Sequence, residues 1–270
     1  MRVQCDAPIL DHQQLSDCEF EITLHAPEVA KQAAPGQFAH LLLSNNYDPL
    51  LRRPFSVYRV NRDEGSFSMV YLARGVFTQG LRQKRVGQLV PIVAPLGNRF
   101  VYEPDDDRTH VLVAGGVGAP PLCFLAREMV GSGCGGRIVV INGARSRSHL
   151  IGAHELSQMP VELHVLTDDG STGCKGIVTD VLADMLTELN PSMATVYACG
   201  PTAMLRAVTD LIVPVGIPGQ VSVETPMPCA LGVCMGCVIK LHHAAPPGFI
   251  YKRSCADGPI FAADQIIWDN

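Results

Sequence analysis

Residues 229–237 read Cys-Ala-Leu-Gly-Val-Cys-Met-Gly-Cys, which places three of the chain's ten cysteines within nine residues and no charge between them. With the next thiol downstream the spacing is C-x4-C-x2-C-x17-C, over Cys229, Cys234, Cys237 and Cys255. The first intervals are those of a plant-type [2Fe-2S] loop, which wraps one side of its cluster while a distant cysteine closes the other. Four thiolates hold two tetrahedral irons, and the small residues Ala230, Gly232 and Gly236 let backbone N–H groups approach the sulfurs. A structural zinc site also takes four cysteines, more often as two C-x2-C pairs on separate turns, so spacing alone leaves zinc as an alternative. Cys5, Cys18, Cys123, Cys134, Cys174 and Cys199 are scattered, and most of them read as small buried hydrophobes.

An electron carrier needs a partner for exchange, and four other strings carry suitable chemistry. In Arg-Arg-Pro-Phe-Ser-Val-Tyr (52–58), Arg53 could pair with a pyrophosphate through its planar fork and Ser56 could hydrogen-bond a flavin ring edge. The alternative for Arg53 is a solvated strand end. In Ala-Arg-Gly-Val-Phe-Thr-Gln-Gly-Leu (73–81), a loop leads into a helix whose N–H groups and Thr78 hydroxyl could bind phosphate, or simply cap the helix. Val-Leu-Val-Ala-Gly-Gly-Val-Gly-Ala-Pro-Pro-Leu (111–122) is a buried strand, then Gly115, Gly116 and Gly118, then a helix opened by proline. Such a turn lets a dinucleotide pyrophosphate come close, though it is not the G-x-G-x-x-G fingerprint. Tyr-Ala-Cys-Gly-Pro (197–201) ends another strand at the same sheet edge, where Cys199 would face the ligand crevice or serve as packing.

The elements that must position these residues fall into three parts. Up to about residue 103, short alternating runs punctuated by Pro and Gly predict an antiparallel barrel or sandwich. The acidic stretch 103–110 marks a boundary, after which β-rich runs alternate with helix-length segments and predict a doubly wound parallel sheet with ligands outside its carboxyl strand ends. From about 225 a Pro- and Gly-rich segment carries the clustered cysteines. The expected units are therefore 1–103, 104–224 and 225–270. A composition 47% hydrophobic and 17% charged, with net charge −5, fits a globular protein and gives no basic stripe for nucleic acid. The N-terminus lacks the order of a signal peptide and the uncharged stretches are broken by Gly and Pro, so the expectation is a cytoplasmic protein with no membrane span. Thiols stay reduced in that compartment, which argues against a disulfide framework.

Taken in order, Pro-Gly-Gln-Phe (35–38), Arg-Pro-Phe-Ser (53–56), the Gly-Gly-x-Gly turn and Cys-Gly-Pro (199–201) resemble the ferredoxin reductase superfamily. More narrowly, residues 50–58, 168–180 and the cysteine segment closing in Cys-Ala-Asp-Gly-Pro-Ile-Phe (255–261) are similar to the electron-transfer subunits of the NAD-linked dihydroorotate dehydrogenase. The resemblance covers nearly the whole chain. It implies an N-terminal flavin-binding β-barrel, an NAD-binding α/β domain and a small C-terminal [2Fe-2S] segment. It also implies an FMN-containing catalytic partner that oxidises dihydroorotate, as a heterotetramer of two of each subunit, in pyrimidine (UMP) biosynthesis. On this reading Arg53, Pro54, Phe55, Ser56, Val70, Tyr71, Leu72, Phe77 and Thr78 hold FAD. Gly115, Gly116, Gly118, Cys199 and Gly200 hold NAD, with Cys199 near the nicotinamide and no catalytic side chain assigned. Cys229, Cys234, Cys237 and Cys255 ligate the cluster. Phe77 stands where the family usually has Gly, and Ala230 replaces a usual Gly in the cysteine loop.

Two alternatives remain at this stage. One is a related reductase subunit serving ferredoxin:NADP or sulfide, in which the barrel motif resembles Arg-Ile-Pro-Leu-Thr and the first cluster ligand is commonly Asp. The other is a non-enzymatic, zinc-stabilised nucleotide-binding module. NAD versus NADP is also open, since Arg145 and Arg147 could meet a 2′-phosphate or stay solvated.

Overall fold

The computed structural model describes residues 2–43, 48–104 and 107–268. Asp105 and Asp106, within the expected boundary stretch, lie outside the described residues. The N-terminal sheet is built from β1 (Val3–Gln14), β2 (Glu19–His25), β3 (Phe38–Leu41), β4 (Arg53–Ser56), β5 (Arg59–Asn61), β6 (Ser66–Leu72) and β7 (Leu89–Leu96). Its strand order is β4-β3-β7-β1-β2-β6-β5, antiparallel throughout. The two strands at opposite ends of this order are separated in the chain by Val57 and Tyr58 alone. The Val57 N–H donates to the Gln37 carbonyl (3.0 Å) and the Tyr58 N–H to the Ser68 carbonyl (2.8 Å), so the sheet rolls into a barrel. Strand alternation fills it: Phe67, Met69 and Tyr71 of β6 point into the barrel core, while Val70 joins the core beneath the following domain. Helices α1 (Pro27–Ala30) and α2 (Val76–Arg82) complete this unit.

Beyond it come β8 (Thr109–Gly115), α3 (Ala119–Gly131), β9 (Ile138–Ala144), α4 (Ala153–Leu156), β10 (Glu162–Thr167), β11 (Cys174–Lys175), α5 (Val178–Leu186), β12 (Ala194–Cys199), α6 (Thr202–Ile212) and β13 (Gly219–Ser222). The predicted alternation of strands and helices is present, with α4 a single turn. The C-terminal segment contributes β14 (Val238–His242), β15 (Phe249–Arg253), β16 (Ile260–Ala262) and β17 (Ile266–Ile267). The second sheet runs β11-β10-β9-β8-β12-β13-β16, parallel except for β16, which pairs antiparallel with β13. Core residues of α3 pack with Leu112 and Val140 on one face, and those of α5 and α6 with Val111 and Val113 on the other. The strands β14, β15 and β17 form a small third sheet. The chain after 225 thus also returns to complete the edge of the parallel sheet. Among the described residues no helix is long and apolar enough to cross a membrane.

The strand order reverses between β8 and β12, which opens the ligand crevice at their carboxyl ends, Gly115 and Cys199. Gly118 sets how closely the two ends approach. A Cβ there would stand 2.3 Å from the Cys199 carbonyl oxygen and 2.5 Å from the Gly200 nitrogen, both backbone atoms that cannot swing aside. Gly116 differs: its φ of +53° favours glycine, but nothing lies within 4 Å of where its Cβ would be. Gly118→Ala should therefore cost about 3 kcal/mol by overpacking, against about 1 kcal/mol for Gly116→Ala from backbone strain. Urea unfolding of the two variants checks this, and equal losses would contradict it.

Candidate functional site

A cavity of about 270 Å3 lies where the barrel, the parallel sheet and the cysteine segment meet. Its barrel wall is Pro54, Phe55 and Ser56 of β4 and Val70, Tyr71 and Leu72 of β6; Cys199 at the end of β12 faces them. β4 is an edge strand, which tolerates Pro54, and it is held in register by β3 through Phe38 opposite Ser56 and His40 opposite Pro54. The Phe55 ring packs edge-on against Tyr71 at 5.9 Å, and the Tyr71 hydroxyl is engaged by His12 Nε2 at 2.8 Å. Burial pushes the Cys199 thiol up to about 12, with the Glu224 carboxylate acting in the same direction, so this group stays a neutral thiol.

Three sequence candidates stand outside this wall. Thr78 Oγ1 accepts from the N–H groups of Arg74 (2.9 Å) and Gly75 (3.1 Å), capping its own helix. Arg53 donates to the carbonyls of Leu51 (2.9 Å) and Arg52 (3.1 Å), with its guanidinium 5.8 Å from the Phe77 ring centre. Phe77 itself belongs to the barrel core. The large side chain at this position therefore points inward and leaves the outer surface of the turn unobstructed.

A second cavity, about 610 Å3, opens at the carboxyl ends of the parallel strands and shares Leu72, Val117 and Glu224 with the first. Gly115, Gly116 and Pro201 form its floor, and Glu19, Arg74, Arg145, His149, Asp168 and Glu224 are its charged or titratable walls. Gly118 and Gly200 are not on this wall; they permit the close packing around it, a Cβ on Gly200 meeting Met204 Cε at 2.6 Å. Arg147 is also off the wall, its backbone N–H bonded to Ser171 Oγ at 2.8 Å. Glu224 stands at the junction of the two cavities, where partial desolvation raises its carboxyl pKa.

The cysteine loop folds around its own sulfurs. Cys229 Sγ accepts from the N–H groups of Leu231 (3.4 Å) and Cys234 (3.5 Å), and Cys234 Sγ from that of Gly236 (3.4 Å). To aim those donors the backbone turns left-handed at Ala230 (φ 54°) and Met235 (φ 59°) as well as at Gly232, a cost of about 1–2 kcal/mol per non-glycine residue. Burial raises the Cys229 thiol, but the donors from Cys234, Leu231 and Val233 outweigh it and bring the pKa down to about 6, a bias toward the thiolate that a metal requires. Cys237 and Cys255 lie 3.2 Å apart and buried, and burial followed by the Cys237 thiol pushes Cys255 up to about 12. Such a pair of apposed thiols is relieved by deprotonation onto a metal. The four thiols stand as two pairs, Cys229 with Cys234 and Cys237 with Cys255. Two pairs of thiols suit a two-metal group, one pair to each metal. Arg253 pins the loop by donating to the Gly232 carbonyl (2.9 Å) while Asp257 holds the guanidinium through both carboxylate oxygens (2.9 and 3.1 Å).

Two residues that sequence reasoning did not single out connect these features. His40, 2% exposed, donates from Nε2 to the Met227 carbonyl at 3.1 Å, tying the strand beside Arg-Pro-Phe-Ser to the chain two residues before Cys229. Thr225 lines the smaller cavity, and its Oγ1 is buried with no partner. An unsatisfied hydroxyl in a largely apolar wall fits a ligand with a polar edge, such as a flavin ring. Both were hidden because a lone His in an apolar run and a Thr before proline carry no motif.

Known proteins bear on this geometry. The sequence profile described as the iron-sulfur cluster binding domain of dihydroorotate dehydrogenase B matches residues 224–267, and that of the oxidoreductase NAD-binding domain matches 112–210. Proteins named dihydroorotate dehydrogenase B (NAD(+)), electron transfer subunit, are 33% identical in Desulforamulus reducens over 98% of both chains and 35% identical in Geobacillus kaustophilus over 96% of both. Among solved structures, one of an NADH-dependent reduced ferredoxin-NADP oxidoreductase superposes with TM-score 0.83 at 30% identity, covering 97% of this chain and 90% of the other. A ferredoxin reductase of carbazole 1,9a-dioxygenase has TM-score 0.68 at 19% identity over 80% and 67% of the two chains, a likeness of fold.

The His40 contact makes a pH prediction. Burial carries its pKa from 6.5 down to about 4, the hydrogen bond to Met227 opposing this and the charges of Arg52 and Arg53 adding to it. Between those values the unfolded chain binds a proton that the folded chain refuses. The contribution is therefore intact above the unfolded value and falls, by about 3 kcal/mol in all, as pH drops through the window. Urea midpoints of wild type and His40→Gln should diverge in pH dependence between pH 6.5 and 4; parallel curves would contradict the assignment.

Proposed function

Because the chain belongs to the family of dihydroorotate dehydrogenase B (NAD(+)) electron transfer subunits, we propose that it passes electrons from a partner that oxidises dihydroorotate to NAD, in pyrimidine (UMP) biosynthesis. The observation that carries this reading is the meeting of the Arg-Pro-Phe-Ser strand, the carboxyl ends of the parallel sheet and the cysteine segment around one cavity. When bound, FAD in that cavity would supply two-electron hydride exchange with NAD, and a [2Fe-2S] cluster in the cysteine loop would supply one-electron exchange with an FMN-containing partner.

The chain's own residues have distinct tasks. Pro54, Phe55 and Tyr71 give a stiff apolar seat for a ring, with Ser56 at its edge. Gly115 and Gly116 keep the neighbouring cavity open to a pyrophosphate, and Asp168 on its wall suits a ribose diol. Cys199, a neutral thiol, lines the flavin cavity at the end of β12 and takes no nucleophilic part. Cys229, Cys234, Cys237 and Cys255 hold the cluster. At the loop tip Leu231, Val233 and Met235 are 45%, 79% and 51% exposed. We assign this apolar surface to the partner subunit, in an assembly of two of each chain. Residues 1–103, 104–224 and 225–270 then serve flavin, NAD and cluster.

The anaerobically purified chain is expected to carry about one FAD and two irons. Stoichiometric zinc without iron would overturn the cluster assignment. It should oxidise NADH with a dye that accepts directly from flavin, and should not oxidise dihydroorotate alone. Cys234→Ser should keep the NADH–dye reaction while abolishing dihydroorotate-driven NAD reduction in an assembled complex. Wild-type turnover by a cluster-free, assembled complex would contradict the route through the cysteine loop. Electrons from ferredoxin or sulfide, with none from dihydroorotate, would favour the related reductase reading instead.

A further inference from the structure

Between the last parallel strand and the first cluster cysteine the chain reads Val-Glu-Thr-Pro-Met-Pro-Cys, residues 223–229. Thr225 sits in this strap on the wall of the smaller cavity, its hydroxyl buried and without a partner. A buried hydroxyl left unsatisfied is costly, and natural proteins rarely keep one without a use. Its neighbours cannot relieve it: the Tyr71 hydroxyl is committed to His12, and Ser222 faces the Cys199 thiol. Nor can the backbone easily turn it elsewhere, because Pro226 restricts the preceding residue to extended conformations.

We infer that Thr225 is a flavin-contacting residue whose hydroxyl hydrogen-bonds a polar edge of the bound ring. The inference rests on the flavin reading of this cavity and extends it to a residue outside the barrel motifs. A hydroxyl is suited to the place because it can rotate between donating and accepting. A ring that gains a proton on reduction presents an acceptor before and a donor after, and Thr225 can satisfy both where a fixed backbone N–H could satisfy one. The contact also places the ring against the strap that leads, four residues on, to Cys229.

The test compares Thr225→Val, which keeps the shape and removes the hydroxyl, with Thr225→Ser, which keeps the hydroxyl. Thr225→Ala replaces the valine variant if that chain does not fold. FAD dissociation constants, the visible flavin bands and the flavin midpoint potential are measured on each purified protein. The valine variant should bind FAD roughly tenfold more weakly, with displaced bands and a shifted potential, and serine should restore wild-type values. Valine behaving as wild type would overturn the inference. Serine failing as badly as valine would also overturn it, since shape and not the hydroxyl would then matter. Wild-type protein that retains no flavin would overturn the reading of the cavity itself, and is distinguished from the first two outcomes by the wild-type measurement alone.

Discussion

The length and stiffness of one strap of chain govern the arrangement of everything else. β13 ends at Ser222 and the cysteine loop begins at Cys229, so six residues, crossed in seven Cα-to-Cα steps, join that strand to the first metal ligand. At full extension they span roughly 25 Å. Pro226 and Pro228 stiffen the strap, and His40 fixes it midway by holding the Met227 carbonyl from the barrel side. The cavity and the cysteines are thereby kept at a short, constant separation, which electron exchange between their occupants requires.

The rest of the fold secures the ends of that strap. The chain beyond Cys255 returns as β16 to cover the exposed edge of β13, so the strand from which the strap departs is paired on both sides. The barrel grips the same returning strand. Asn98 donates from Nδ2 to the Ile260 carbonyl (2.7 Å) and accepts from the Ile260 N–H (3.0 Å) through Oδ1. On the opposite side Glu155 accepts from Tyr58 of the barrel (2.8 Å) and pairs with Arg127 of α3. Phe124, also on α3, is buried in the barrel core. The three units are interlocked, and the cavities between them are fixed features of the molecule.

Much of this was legible in the sequence where a residue type has few physical uses. Closely spaced cysteines, a glycine turn after an apolar strand, and Arg-Pro-Phe-Ser at a strand start each announce a place, and the cavity walls gather Pro54, Phe55, Ser56, Gly115 and Gly116. Side-chain direction was not legible. Thr78 lies three residues after Gly75 at a helix start, and whether such a hydroxyl caps its own helix or meets a ligand depends on local hydrogen bonds that sequence does not specify. β16 was missed because three residues carry no readable period and its pairing partner lies nearly forty positions away. His40 and Thr225 acquire meaning only from contacts with Met227 and the cavity, both remote from any motif.

The central claim is that the strap holds flavin and cluster within electron-exchange distance in this one chain. Electron paramagnetic resonance of the holoprotein, partially reduced in the absence of its partner, tests it directly. The account predicts a flavin radical signal that is split or relaxed by the reduced cluster, as expected for spins separated by less than roughly 25 Å, the strap's full extension. A flavin signal with the line shape and relaxation of an isolated radical, in protein shown to contain reduced cluster, would contradict it.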